Sequence, residues 1–159
     1  MTGDERAALL ERYRDGAGVF IATVAQLSDA ELDVRSIEGE WTVREICHHL
    51  ADSEMTSAIR LRRLIAEDNP AIVGYDEMRF SQVLHYDDRP IPPSLEAAAA
   101  ARASTLQILE RLTEAEWGRQ GTHSEHGAYG VEAWLEDYAN HPWDHADQAR
   151  RVLEAARAD

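Results

Sequence analysis

The chain has 159 residues, of which 30 are acidic and 16 basic, for a formal charge of −14. That length supplies one core burying roughly two-thirds of the unfolded surface and is short for two ordinary domains, so one domain over 1–159 is expected. The acidic balance repels phosphate backbones and anionic bilayers, which argues against nucleic acid or membrane as partners. Every basic residue is arginine, which removes Schiff-base lysines and the usual P-loop.

The single cysteine, Cys47, has no internal disulfide partner. The opening Met-Thr-Gly-Asp-Glu has neither the basic start nor the apolar block of a secretory signal, so a cytoplasmic location is expected. No apolar run approaches the roughly eighteen residues of a spanning helix; the nearest is the stretch around Ala17 to Ala25.

Helix formers dominate, and no strand-like alternation persists, so the chain reads as all-α. A first helix is predicted from about Asp4 to Gln26, with Leu9, Tyr13, Val19, Phe20 and Val24 on its apolar face. Ser28 and Glu31 make a capping-box pattern that opens a short turn through Leu32. Thr42 and Glu45 repeat it, starting a second long helix that runs to about Glu67. Tyr75 to Leu84 reads as a short helix within a long crossover. Pro90, Pro92 and Pro93 predict an extended stretch before Ser94 caps a third helix ending near Leu112. Thr113 and Glu116 form another capping box. A loop with Gly118, Gly121, Gly127 and Gly130 then leads to a last helix from about Val131 to Arg157. Four long helices with a long crossover between the second and third predict an up-down four-helix bundle.

The last helix carries the first chemical signal. On a wheel of about 100° per residue, His141 and His145 fall within about 40° of each other, in one stripe with Trp134, Tyr138, Val152 and Ala156. Two imidazoles at i, i+4 can share one ion. As separate core histidines, each needs its own carbonyl or carboxylate partner, because an unsatisfied buried polar group costs about 1–3 kcal/mol. Pro142 lies between them and removes a helical N–H; it either kinks the helix in mid-stripe or starts a new one. In the second helix, His48 and His49 lie in a polar stripe with Asp52, Ser53, Thr56 and Arg60. Periodicity makes that stripe either a solvated face or a polar internal cleft, and it does not choose between the two histidines.

The run Trp41-Thr42-Val43-Arg44-Glu45-Ile46-Cys47-His48-His49-Leu50-Ala51-Asp52-Ser53, with Ile59-Arg60, Glu67-Asp68-Asn69-Pro70 and Tyr75-Asp76-Glu77, resembles the DinB/YfiT-like superfamily. His141-x-x-x-His145 matches the second signature of that superfamily, about ninety residues later. The resemblance implies a four-helix bundle holding one divalent ion on three histidines, and imidazole ligation suits Zn, Ni or Fe, as well as Cu. By position before Leu-Ala-Asp, the second-helix ligand is His49, joined by His141 and His145. Pro142-Trp143-Asp144 replaces a more histidine-rich run in similar sequences. Three neutral imidazoles keep coordination positions open, as in catalytic sites.

The resemblance further implies a transferase that joins a low-molecular-weight bacterial thiol, bacillithiol or mycothiol, to electrophilic small molecules. The alternatives are a hydrolase using a metal-activated water and a non-catalytic metal-binding bundle; a homodimer is compatible with each. Arg60 returns to the face of His49 about three turns on, as a substrate-carboxylate clamp or a structural pair with Asp52, Thr56 or a neighbouring helix. His123 and His126 are candidates for proton transfer at the mouth of the site, or solvated loop histidines. Gln148 is placed to orient a ligand imidazole, Trp143 to wall the pocket, and Cys47 to pack in the core.

Overall fold

The structure is a computed structural model and describes residues 1–158. Four long helices carry the fold: α1 (Gly3–Val24), α3 (Val43–Ala66), α5 (Pro92–Leu109) and α7 (Val131–Ala158). Between them lie α2 (Asp29–Leu32), α4 (Glu77–Val83) and α6 (Glu114–Trp117), with three short strands, β1 (Ala71–Ile72), β2 (Gln120–His123) and β3 (Gly127–Gly130). No helix among the described residues is long and apolar enough to cross a membrane.

The helix starts follow from local chemistry. Thr2, Ser28, Thr42 and Thr113 each accept a hydrogen bond from the backbone three residues on, and Glu5, Glu31, Glu45 and Glu116 return the bond. Each box satisfies two amides that a helix start leaves without partners. The third long helix departs from the expected Ser94 cap: it begins at Pro92, after Ile91, with no side-chain cap. Two prolines fit the first helical turn, where their missing N–H groups cost nothing, and Ser94 is left free for another contact.

Cross-helix bonds fix the directions. Arg6 meets Glu132, Arg12 meets Asn140 and Arg150 meets Thr23, so α1 and α7 run parallel. His48 meets Ser94, Glu54 meets Arg102 and Arg62 meets Thr105, so α3 and α5 also run parallel. Trp134 donates to the Ser57 carbonyl while His49 meets His141, which makes α3 and α7 antiparallel. The bundle therefore stands, but its order is up-down-down-up: the chain reverses from α1 to α3 and from α5 to α7, and the up-down alternation fails only between α3 and α5. The crossover through β1 and α4 makes this possible by returning the chain along the bundle before α5 starts.

The glycine-containing segment before α7 is a hairpin and not a loop. β2 pairs antiparallel with β3, and β1 from the crossover pairs parallel with β2. Gly121 is required there, because a Cβ would lie 2.6 Å from the Pro70 carbonyl oxygen. Strands of two to four residues are too short to show an alternating pattern. The sheet joins the crossover to the chain entering α7.

Two apolar clusters fill the bundle. One gathers Tyr13, Leu61, Leu64, Leu109, Trp117, Trp134 and Leu135 near the sheet. The other gathers Phe20, Val24, Ile46, Cys47, Leu50, Ala146 and Val152 toward the opposite end. Between them lies a buried polar layer. Arg102 on α5 donates to Glu54 Oε1 (2.5 Å), the Tyr138 carbonyl (3.0 Å) and the Tyr13 carbonyl (2.6 Å), and its guanidinium lies 3.8 Å over the Tyr13 ring. α7 is one continuous helix through Pro142. Proline has no N–H to give to residue 138, and Arg102 supplies the missing donor.

Candidate metal centre

Adjacent helical residues point about 100° apart, so His48 and His49 face different neighbours although both are buried. His48 faces α5 and the crossover. Its Nε2–H donates to the Arg89 carbonyl (3.0 Å), and Nδ1 accepts from the Ser94 hydroxyl (2.7 Å). Both nitrogens are thus used in joining α3 to the segment that leads into α5.

His49 faces α7. Its Nε2 lies 3.3 Å from His141 Nε2, which lies 3.1 Å from His145 Nε2. The polar stripe on α3 is therefore an internal cleft at this level. The apolar Met55 and Ile59 of the same helix are exposed instead.

The protonation of the cluster follows from its surroundings. Glu40 accepts from Gln148 Nε2 (3.3 Å), which turns Gln148 Oε1 toward His145 Nδ1 (2.8 Å). His145 must therefore carry its proton on Nδ1 and leave Nε2 as a bare lone pair. Burial is the largest influence on all three imidazoles and pushes their pKa values down, that of His49 to about 3 and that of His141 well below the ordinary value. The neighbouring imidazoles add to this for His49 and His141. The three rings are neutral at pH 7, and one proton on His141 Nε2 cannot serve two neighbouring nitrogens with good geometry at both.

A cation resolves that conflict. For a tetrahedral ion with nitrogen ligands at about 2.0–2.1 Å, adjacent donors stand roughly 3.3 Å apart, close to the separations seen. The donor atoms of His49, His141 and His145 all lie within 4.8 Å of one another. A divalent ion fits this set. Gln148 would then fix one imidazole from behind, whereas neither His49 Nδ1 nor His141 Nδ1 meets a protein acceptor.

Aromatic rings enclose the cluster. The Trp41 ring lies 4.6 Å from that of His49 and 6.5 Å from that of His145. Tyr138 packs edge-on against His141 at 5.8 Å. Trp41 was legible as a residue beside a helix cap, but its place over two histidines depends on how α3 and α7 cross. Trp143 has a different role from the expected one: it donates to the Arg12 carbonyl (3.1 Å) under the Arg12 guanidinium, on the α1 side of α7. Cys47 is fully buried in the second apolar cluster, with its thiol pushed up to about 12 by burial, so it is no nucleophile.

Arg60 and His123 do not join the three histidines. Arg60 donates to the Tyr138 hydroxyl (3.3 Å) and the Val73 carbonyl (2.7 Å), not to Asp52, which accepts from the Tyr86 hydroxyl (2.5 Å). His123, on β2, is buried, whereas His126 in the hairpin turn is exposed. Arg60, His123 and His126 line a separate cavity of about 160 Å³ with Tyr75, Tyr129 and Tyr138. Tyr138 stands between this cavity and His141.

Comparison with known proteins agrees with this architecture. The chain is 36% identical over 123 residues to a protein of Oceanobacillus iheyensis provisionally named a metal-dependent hydrolase, covering 77% of this chain and 71% of the relative. It is 30% identical over 137 residues to YfiT of Bacillus subtilis, also provisionally named a metal-dependent hydrolase, covering 82% of this chain and 75% of YfiT. The solved structure of YfiT, described as a four-helix bundle of unusual topology, superposes with a TM-score of 0.90 at 25% identity, over 96% of this chain and 87% of that one. A mycothiol-dependent maleylpyruvate isomerase shares the fold, with a TM-score of 0.67 at 17% identity, over 92% of this chain and 60% of that one. Residues 12–149 match the DinB superfamily, and the chain belongs to that superfamily.

Proposed function

We propose that His49, His141 and His145 hold one divalent ion and that the protein is a metal-dependent thiol transferase, joining bacillithiol or mycothiol to electrophilic small molecules. The observation that carries the reading is the convergence of three neutral imidazole nitrogens, 3.1 and 3.3 Å apart in sequence around the cluster, from helices ninety residues apart in the chain. A divalent ion there supplies Lewis acidity, which favours the anionic form of a coordinating thiol or water at neutral pH.

The chain's own groups shape what such a site does. Three uncharged ligands leave the ion's charge uncompensated, which favours an anionic partner. Gln148 and Glu40 hold the His145 tautomer that offers Nε2. Trp41 and Tyr138 shield the cluster with apolar ring surface, which strengthens electrostatic interactions there. No protein thiol competes, because Cys47 faces the core.

The provisional names of the relatives favour a second reading, hydrolysis by the same centre. One assay separates the two. Zinc- or nickel-loaded protein is given a bimane or halo-nitroaromatic electrophile with and without bacillithiol or mycothiol, and separately an ester panel without thiol. Conjugation that requires both metal and thiol, and that disappears in His49→Ala, is the expected result. Ester turnover indifferent to thiol, with no conjugation by either thiol, overturns the transferase reading in favour of hydrolysis.

A further inference from the structure

We propose that the turn of the β2–β3 hairpin forms a second, weaker divalent-cation site, with His123, Glu125 and His126 as donors to a borderline ion such as zinc. The donor atoms of these three side chains lie within 4.8 Å of one another. The two imidazoles are stacked, with centroids 4.7 Å apart and planes 23° from parallel. Two imidazoles and a carboxylate are a common zinc donor set.

The turn is held in this arrangement by contacts on both sides. The Gly74 amide donates to the Ser124 hydroxyl (2.9 Å), tying the crossover to the turn. The Glu125 carboxylate lies over Gly74, 2.5 Å from where a Cβ would stand, so the absence of a side chain at 74 gives it room. Gly127 follows at φ +73°, a conformation that lets the chain reverse immediately after His126. These contacts set the backbone of the turn that carries the three donors.

Charge in the adjoining cavity also favours a cation. Glu77, Glu125 and Asp137 line it against one guanidinium, Arg60. Asp137 accepts from the Tyr129 hydroxyl (2.9 Å). His123 Nδ1 accepts from the Glu125 amide (3.2 Å), which places the ring proton on Nε2 in the metal-free turn. Coordination through Nε2 moves the ring proton to Nδ1 and gives up that one hydrogen bond. With Glu125 and His126 exposed to water, this makes the site the weaker of the two centres.

Co(II) titration of the metal-stripped protein, followed by its d–d absorption, tests the proposal. The wild type is expected to take up two equivalents in sequence. His49→Ala removes the tighter one. His126→Ala changes an exposed side chain, leaves the far-ultraviolet circular dichroism unchanged, and weakens the second equivalent by at least about tenfold. His85→Ala, in an exposed cluster with Asp87 and Asp88, leaves both equivalents in place. Saturation of the wild type by one equivalent, a smaller loss in His126→Ala, or loss of the second equivalent in His85→Ala overturns the site. Because the tighter equivalent is scored through His49→Ala, the outcome is independent of the proposed activity.

Discussion

Replacing Arg102 by methionine tests the polar layer that divides the two apolar clusters. Arg102 and Glu54 are 3% and 1% exposed, and the guanidinium also serves the Tyr13 and Tyr138 carbonyls. Methionine fills much of the volume but donates nothing. Removing one partner of a buried ion pair costs about 3–5 kcal/mol, and each carbonyl left without a donor adds up to about 1–3 kcal/mol. Glu54 limits the total by taking up a proton: burial already pushes its pKa up to about 7 against the opposing pull of Arg102. We therefore expect a loss of about 4 kcal/mol, a large part of the roughly 5–15 kcal/mol typical of a folded domain. The Tyr138 carbonyl makes the prediction specific. Pro142→Ala restores the helical N–H for that oxygen, so it recovers about 1 kcal/mol in the Arg102→Met background. In the wild type it is neutral or slightly destabilising, because Pro142 packs where a Cβ at Gly16 would lie 3.2 Å away. Urea unfolding of the four proteins, metal-stripped and at one pH, gives the coupling directly. If Arg102→Met costs less than about 1 kcal/mol, or if Pro142→Ala has the same effect in both backgrounds, Arg102 is not the donor that the proline makes necessary.

Three further outcomes follow from the histidine cluster and its surroundings. His49→Ala abolishes tight metal binding, whereas His48→Ala leaves the metal stoichiometry intact and lowers thermal stability by releasing Ser94 and the Arg89 carbonyl; loss of metal in His48→Ala instead would exchange their roles. Gln148→Leu removes the acceptor behind His145 and weakens metal binding about 10–100-fold, measured by competition with a chelator; unchanged affinity would show that the Gln148 bond does not orient the ring. In the metal-stripped protein, His49 has a folded pKa of about 3, below the unfolded value of about 6.5. Its contribution is therefore present above pH 6.5 and is lost as pH falls toward 3, amounting to about 2 kcal/mol by pH 5. His141 and His145 are shifted in the same direction. A melting temperature that is flat between pH 7 and 5, or that rises on acidification, would contradict a buried neutral cluster.

Short-range signals determined much of this molecule. The boxes at Ser28, Thr42 and Thr113 start their helices where the sequence places them, because a capping box is a contact between residues three apart. The pairing of His141 with His145 was legible for the same reason: i, i+4 spacing brings two rings together on any continuous helix. Tertiary structure decided what no local rule addresses. Whether His48 or His49 faces α7 depends on the rotation of α3 within the bundle, and periodicity failed there because the cleft is polar inside while Met55 and Ile59 face water. Ser94 left its expected cap for His48, since the prolines before it already fit the first helical turn. The parallel pairing of α3 with α5 depends on the path of the crossover. Pro142 reads in the sequence as a break or a kink, yet α7 runs on through it. The donor that makes this tolerable, Arg102, lies forty residues earlier in the chain and reaches the Tyr138 carbonyl only when α5 packs against α7's neighbours in the folded bundle.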